Sequence, residues 1–136
     1  METFHPYLYF AGNCREAFTR YHEIFGGDLT IMDGSQAPPG AVPPEKMDLV
    51  LHAGIQNGDE LLMASDSYDD DFQPDPGVSV HYATTDIEKA KSVFAQLSEG
   101  GDVTIAAEEQ FWTPFYGAVT GRFGIRWQVG VDVPQE

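Results

Sequence analysis

The chain has 136 residues, of which 22 are acidic and 7 basic, so its formal net charge at pH 7 is −15. A chain this acidic repels the phosphates of nucleic acids and the head groups of anionic lipids, so we expect neither nucleic acid nor a membrane as a partner. The sequence shows no apolar run of membrane-spanning length, no secretory leader and a single cysteine. These features predict one globular domain in the cytoplasm, where thiols stay reduced.

The first half of the chain is predicted to fold as a strand, a helix and three further strands. Phe4 to Phe10 alternates in the manner of a strand. Asn13 is the expected N-cap of the helix, with Glu16 in the capping-box position. Gly26-Gly27 ends the helix and a strand follows. After a proline-rich loop, the turn Asn57-Gly58 joins the last two strands into a hairpin.

The second half repeats this order. The six residues from Gly26 to Ile31 return as Gly100 to Ile105, with Leu29 exchanged for Val103. Two copies indicate a duplicated half-domain, since a solenoid needs three or more repeats. We therefore predict a single domain over 1–136, with a first module at about 3–66, an acidic solvated linker at 67–77 and a second module at about 78–133.

Each module is predicted to be a βαβββ unit. The fold class is then α+β, with two curved mixed sheets around a cleft and the helices outside. Successive side chains of a strand point to opposite faces of the sheet, and this alternation predicts which side chains face the cleft. Alternation and the alignment of the two copies predict an aromatic and polar lining without carboxylates, consisting of His5, Tyr7, Tyr9, His52, Gln56, Met63, Ser79, His81, Arg126 and Gln128. Ligand pockets commonly have this composition.

Several other features have both a functional and a structural interpretation. The aromatic stretch from Phe111-Trp112 to Tyr116 is either a lid that stacks on a flat ligand or a loop that packs over the hairpin or a second protomer. Arg126 either attracts a carboxylate or phosphate in the cleft or forms a surface ion pair with the acidic tail. Cys14 begins a helix, where the dipole lowers a thiol pKa, but no histidine is placed to activate it, so we expect a packed structural thiol. The aspartates from 66 to 75 lack the spacing of a calcium-binding loop, and we assign them to the linker.

Three stretches of the sequence resemble the PhnB-like proteins. These are the segment from Pro6 to Phe18 with Tyr21 and Phe25-Gly26-Gly27, the segments His52 to Ile55 and Leu62 to Asp66, and the segments Phe111-Trp112, Phe115 to Gly117 and Arg122 to Trp127. PhnB-like proteins belong to the vicinal oxygen chelate superfamily, with glyoxalase I, bleomycin-resistance proteins and extradiol dioxygenases. The resemblance implies paired βαβββ modules and a homodimer. Some members carry the label 3-demethylubiquinone-9 3-methyltransferase, but this sequence has no glycine-rich strand-to-helix turn followed by an acidic residue, so we expect no methyl-donor site.

Metal-dependent members of this superfamily hold an ion with two ligands from each module. The resemblance puts those positions at His5, Met63, Ser79 and Gln128, of which only His5 is a strong ligand for a divalent ion. We therefore expect no conventional catalytic metal and no other cofactor. The alternative is a lyase or dioxygenase in which His5, His52 and His81 hold Zn, Ni, Fe or Mn.

The prediction for function is a small-molecule-binding protein whose ligand is compact and partly aromatic or anionic. A ligand-sequestering resistance protein would use the same cleft without chemistry. The sequence leaves open whether the protein is an enzyme, because no residue pattern in it identifies a reaction.

Overall fold

The computed structural model describes residues 2–133. The chain forms an N-terminal unit that ends at Pro74 and a C-terminal unit that begins at Asp75. Each unit has one long helix and one four-stranded mixed sheet. The predicted α+β class with two βαβββ modules is thus confirmed, and the cleft shared by the modules stays a prediction. Among the described residues, no helix is both long and apolar enough to cross a membrane.

The N-terminal unit contains five main elements. They are β1 (Tyr7–Phe10), α1 (Cys14–Phe25), β2 (Asp28–Asp33), β3 (Val50–Asn57) and β4 (Glu60–Asp66), with short 3-10 turns at Gly34–Gln36 and Pro44–Lys46. The strand order is β1-β4-β3-β2, in which β1 runs parallel to β4 and the other pairs are antiparallel. The first strand begins later than predicted, so His5 lies before it.

The C-terminal unit repeats this topology. Its elements are β5 (Val80–Thr84), α2 (Ile87–Ser98), β6 (Asp102–Gln110), β7 (Thr113–Thr120) and β8 (Arg126–Val131). The strand order is β5-β8-β7-β6, again with the first and last strands of the unit parallel. The sequence predicts strands from Val78 to Thr84 and from Asp102 to Ala106. In the structure β5 begins at Val80, so Ser79 precedes it, and β6 continues to Gln110.

In each unit the helix packs against one face of the sheet, and the two together form the core. Phe18 of α1 lies between Phe10 and Tyr21, with ring centroids 6.0 Å and 5.7 Å away. Helical spacing predicts that Phe25 completes the buried stripe of this helix, but the structure buries Ile24 there instead. In the C-terminal unit, the buried side chains of α2 are Ala90, Val93 and Leu97, and those of β8 are Trp127, Val129 and Val131. Each large apolar side chain buried in this way contributes about 1.5–3 kcal/mol.

The repeated glycines are explained by backbone packing. Gly26 and Gly100, which follow the helices, have positive φ angles of 74° and 69°, a region that suits glycine. A Cβ atom added to Gly27 would lie 2.6 Å from the carbonyl oxygen of Gln56, and one added to Gly101 would lie 2.6 Å from that of Thr120. The Gly-Gly repeat is therefore explained by a close approach, found in both units, between the segment that follows the helix and the backbone of a neighbouring strand.

Asp66 lies at the predicted boundary between the first module and the linker, and it belongs to the fold rather than to the solvated acidic tract. It is the last residue of β4 and is buried. Its Oδ1 accepts hydrogen bonds from the backbone N–H groups of Gly12 (3.1 Å) and Cys14 (2.9 Å), and its Oδ2 accepts one from Val50 (2.8 Å). Asn13 stands at the N-cap position but its side chain makes no cap hydrogen bond, so the predicted capping box is wrong. A carboxylate from a distant strand takes its place.

The Cys14 thiol is buried in the same region. Burial raises its pKa to about 12, with a further upward contribution from the Asp66 carboxylate that outweighs the nearby Arg15. The expectation that the helix dipole would lower this pKa is therefore wrong, because desolvation of the thiolate dominates. Such a thiol is protonated at neutral pH, in agreement with a structural role.

Candidate functional site

In the N-terminal unit, the sheet face opposite α1 carries a group of aromatic side chains. Strand register puts Tyr7 beside Met63, and Met63 beside Gly54. The ring of Tyr7 lies 5.3 Å from that of Tyr9 and 6.0 Å from that of His52. Four of the predicted lining residues, Tyr7, Tyr9, His52 and Met63, thus lie on one face of one sheet.

The other two predicted residues of this unit lie at its margins. Gln56 is near the hairpin end of β3, where its amide donates a hydrogen bond to the carbonyl of Gly58 (3.4 Å). His5 precedes β1, and its Nε2 is hydrogen-bonded to the hydroxyl of Thr3 (3.0 Å). Its Nδ1 is buried and has no hydrogen-bond partner among residues 2–133. Because His5 lies outside the strand, alternation does not define the face to which it belongs.

The C-terminal unit has a pocket on its open sheet face. The volume of this pocket is about 270 Å³. Ser79, Arg126 and Gln128 supply polar groups, Tyr116 supplies an aromatic wall, and Ala118 and Ile105 supply apolar surface. The segment 76–79, which leads into β5, forms a further wall. The predicted residues Ser79, Arg126 and Gln128 are therefore brought together around one cavity.

A chain of hydrogen bonds fixes the polar side of this pocket. The Nε2 of Gln128 donates to the Oγ of Ser79 (3.0 Å), and its Oε1 lies 3.2 Å from the Nδ1 of His81. Because an amide oxygen can only accept, this network assigns the proton to Nδ1 of His81. Ser79 accepts from Gln128 and keeps its own hydroxyl proton for another acceptor.

His81 is held against the aromatic wall. Its ring lies 6.5 Å from that of Tyr116 at an angle of 25°, which is a stacked arrangement. A Cβ atom on Gly130 would lie 3.4 Å from Cε1 and 3.5 Å from Nε2 of His81, which are ordinary contact distances, so the imidazole lies next to this strand position. Tyr116 belongs to the aromatic stretch that the sequence singles out, but it is missing from the predicted lining. Strand positions show that Tyr116 is the counterpart of His52. Tyr116 lies two residues before Ala118, which pairs with Gln128. In the same way, His52 lies two residues before Gly54, which pairs with Met63.

Arg126 lies at the edge of the pocket. Its Nη1 donates a hydrogen bond to the backbone carbonyl of Pro76, which ties the segment 76–79 to β8. Within residues 2–133, no carboxylate lies within ion-pair distance of this guanidinium. The end of the acidic tail, at 134–136, lies outside the described residues.

Phe111 and Trp112 form the two-residue turn between β6 and β7, where Gln110 pairs with Thr113. Phe111 is 98% exposed and packs on Trp112 with ring centroids 4.8 Å apart. Trp112 in turn lies 5.8 Å from Tyr116, centroid to centroid. The turn therefore adjoins the aromatic wall through Trp112, whereas Phe111 points further out.

The positions implied for a metal do not suit one. Strand register confirms that Met63 and Gln128 hold equivalent places in the two units, since each is opposite the first strand of its unit. A thioether is a poor ligand for a hard or borderline divalent ion, and both polar atoms of the Gln128 amide already have partners. Within the described part of the chain, no group of three or more His, Cys, Asp or Glu side chains is placed to hold an ion.

Comparison with known proteins gives consistent results. The family model described as 3-demethylubiquinone-9 3-methyltransferase matches residues 2–130. Protein YjdN of Escherichia coli (strain K12) is 28% identical over 138 residues, covering 93% of this chain and 92% of that protein. The crystal structure of protein PA1353 from Pseudomonas aeruginosa is 34% identical with a TM-score of 0.88, covering 97% of this chain and 98% of that one. A putative 3-demethylubiquinone-9 3-methyltransferase, PhnB protein, from Bacillus cereus has the same fold at 22% identity, with a TM-score of 0.77 and coverage of 96% and 100%.

Proposed function

This chain belongs to the PhnB-like family of the glyoxalase/bleomycin resistance/dioxygenase superfamily, and we propose that it binds a compact small molecule in the pocket of its C-terminal unit. The observation that carries the proposal is the convergence of Ser79, Arg126, Gln128 and Tyr116 on one cavity of about 270 Å³. A cavity of this size suits a ligand of roughly one ring with one functional group.

The chemistry of the walls supports this proposal. Small-molecule sites place a few polar groups at fixed positions beside apolar and aromatic surface. Here Ala118 and Ile105 offer apolar contact, Tyr116 offers a ring face, and Ser79 and Arg126 offer hydrogen-bond donors. The hydrogen bond from Gln128 holds Ser79, and the hydrogen bond to Pro76 holds Arg126, before any ligand arrives, which reduces the entropy lost on binding.

We propose that binding requires no conventional metal. Ser79 and Gln128 are already bonded to each other, so the C-terminal unit offers no free pair of ligands at the implied positions. The metal-dependent alternative is tested by elemental analysis of protein purified without chelators. Stoichiometric Zn, Ni, Fe or Mn that is lost on His5→Ala, His52→Ala or His81→Ala would favour that alternative.

Methyl transfer is not part of the proposal, although the family description mentions it. The strand-to-helix connections of the two units have no glycine-rich turn with a downstream acidic residue, which a methyl-donor site of the dinucleotide-binding type would need.

The cytoplasmic location and the homodimer also remain proposals, and sedimentation equilibrium would measure the oligomeric state.

The experiment that tests the proposal is a ligand titration followed by amide chemical shifts. Benzoate and benzamide are probes of suitable size, and at least one of them should shift the amides of Gly77 and Val78. Ala118→Phe should abolish these shifts by filling the cavity, with Ile105→Trp as a second blocking variant on the neighbouring strand. Saturable binding that survives both folded variants would place the ligand elsewhere and refute the proposed site. Sequestration and catalysis would then be separated by looking for turnover of the bound compound.

A further inference from the structure

We infer that the pocket of the C-terminal unit selects a singly charged carboxylate ligand, which is bound by the guanidinium of Arg126 and the hydroxyl of Ser79. This inference rests on the proposed function and names the ligand class. It follows from three observations: the charge of the pocket walls, the hydrogen bond that Ser79 accepts from Gln128, and the N–H groups of Arg126 that its contact with Pro76 leaves available.

The charge of the pocket contrasts with that of the chain. The whole sequence has 22 acidic and 7 basic residues, yet the walls include one arginine and, among the described residues, no aspartate or glutamate. A cavity that bound a cation would be expected to use some of those carboxylates. With only one guanidinium in a strongly negative protein, a monoanion is better matched than a dianion, whose second charge would be repelled.

The hydrogen-bond chain gives Ser79 a defined role. Its Oγ accepts from Gln128, and Gln128 is held in that orientation by the Nδ1–H of His81. The hydroxyl proton of Ser79 is therefore available to an acceptor in the pocket. A carboxylate oxygen is such an acceptor, so Ser79 can donate to one oxygen of a carboxylate that also contacts Arg126.

Arg126 has donors to spare. A guanidinium presents five N–H groups in a rigid fork, and its contact with the carbonyl of Pro76 uses Nη1. That contact also fixes the head group at the edge of the cavity. The remaining N–H groups can bind a carboxylate in a charge-assisted manner, which is about twice as strong as a neutral hydrogen bond.

The test compares benzoate with its neutral isostere benzamide in amide-shift titrations of the full chain. In the native protein, benzoate should bind at least about ten-fold more tightly than benzamide. Arg126→Gln should remove this preference, and Ser79→Ala should weaken benzoate more than benzamide. Arg126→Lys keeps the charge without the fork and should retain part of the preference.

Arg122→Gln is the matched control. It removes the same charge from the same unit at a side chain that lies over the ring of Phe123 and not in the pocket. This variant should bind both probes as the native protein does. Circular dichroism confirms that each variant is folded before its titration is interpreted.

The outcomes separate the two proposals. Equal binding of both probes, or a benzoate preference that survives Arg126→Gln, overturns the carboxylate inference and leaves small-molecule binding intact. A similar loss in Arg122→Gln and Arg126→Gln assigns the effect to overall charge and also overturns the inference. If neither probe shifts any amide at tens of millimolar, both proposals are refuted.

Discussion

The two units share topology and strand register, yet they differ in the side chains that the shared backbone carries. Both place a glycine against a strand carbonyl after the helix. On the open sheet face, however, the N-terminal unit has Tyr7 next to His52, while the C-terminal unit has His81 next to Tyr116. The first strand thus carries tyrosine in the N-terminal unit and histidine in the C-terminal unit, and at the equivalent position of the third strand of each unit the two ring types are exchanged. The comparison teaches that the two copies have kept the glycines that their backbone packing requires, while the side chains on the open sheet face have diverged.

The helix starts differ as well. Backbone N–H groups at the start of α1 donate hydrogen bonds to Asp66, a residue of β4. In contrast, α2 is capped locally by Asp86, which accepts from the N–H groups of Glu88 (3.0 Å) and Lys89 (3.3 Å). A cap from a distant strand ties three elements of its unit together. A local cap supports only its own helix.

The largest expected effect therefore comes from removing the two caps. Asp66→Ala would leave three backbone N–H groups without their acceptor, two of them in buried hydrogen bonds, and should lower the free energy of unfolding by about 3 kcal/mol or more. Asp86→Ala should cost about 1 kcal/mol, as is usual for an exposed cap. Urea denaturation of both variants measures the difference. Equal losses would show that Asp66 acts as an ordinary cap.

The second comparison concerns the repeated glycines. Alanine at Gly101 would push its Cβ against the carbonyl of Thr120, and alanine at Gly27 would meet that of Gln56 and also hold a φ of 84°. We expect losses of about 2 kcal/mol for Gly101→Ala and more for Gly27→Ala. Gly26→Ala is the control, because its Cβ would meet nothing within 4 Å and only its positive φ would cost about 1 kcal/mol. Thermal or urea denaturation that ranks Gly26→Ala as the most harmful would contradict this account.

The third prediction uses the thiol that only the N-terminal unit possesses. The unfolded pKa of Cys14 is near 9.0 and burial raises the folded value to about 12. Above pH 9 the unfolded chain loses this proton while the folded chain keeps it, so stability falls as the pH rises. Between pH 9 and pH 10 the native protein should lose about 1 kcal/mol more than Cys14→Ala. Urea denaturation of both proteins at pH 8, 9 and 10 measures this difference in stability. Identical pH profiles would mean that the folded protein accommodates the Cys14 thiolate without a loss of stability.

How far the sequence reached can be judged from particular residues. The two modules, the Gly-Gly helix ends and the equivalence of Met63 and Gln128 were predictable, because hydrophobic periodicity and the repeat are local signals. The role of Asp66 was not, because its partners lie 16 to 54 positions away in sequence and it looks like the first residue of an acidic tract.

The candidate site was predictable only in part. Alternation brought Ser79, Arg126 and Gln128 to one place, but it could not reveal that Gln128 is bonded to both Ser79 and His81, since hydrogen-bond partners across strands depend on rotamers. His5 was placed by alternation on a strand that begins only at Tyr7. Strand ends depend on backbone pairing across the sheet, which no local pattern encodes.

The smallest effect comes from exchanging the equivalent residues of the two faces. Gln128→Met gives the C-terminal unit the residue of the N-terminal one and breaks the bonds to Ser79 and His81. Because these groups are partly exposed, stability should change by less than about 1 kcal/mol. Benzoate binding should weaken about three-fold to ten-fold, since Ser79 loses the partner that orients its hydroxyl. The reverse exchange, Met63→Gln, should leave binding unchanged, because Met63 does not line the pocket. Amide-shift titrations of both variants measure the effect, and an equal loss in Met63→Gln would contradict the assignment of the site to the C-terminal unit alone.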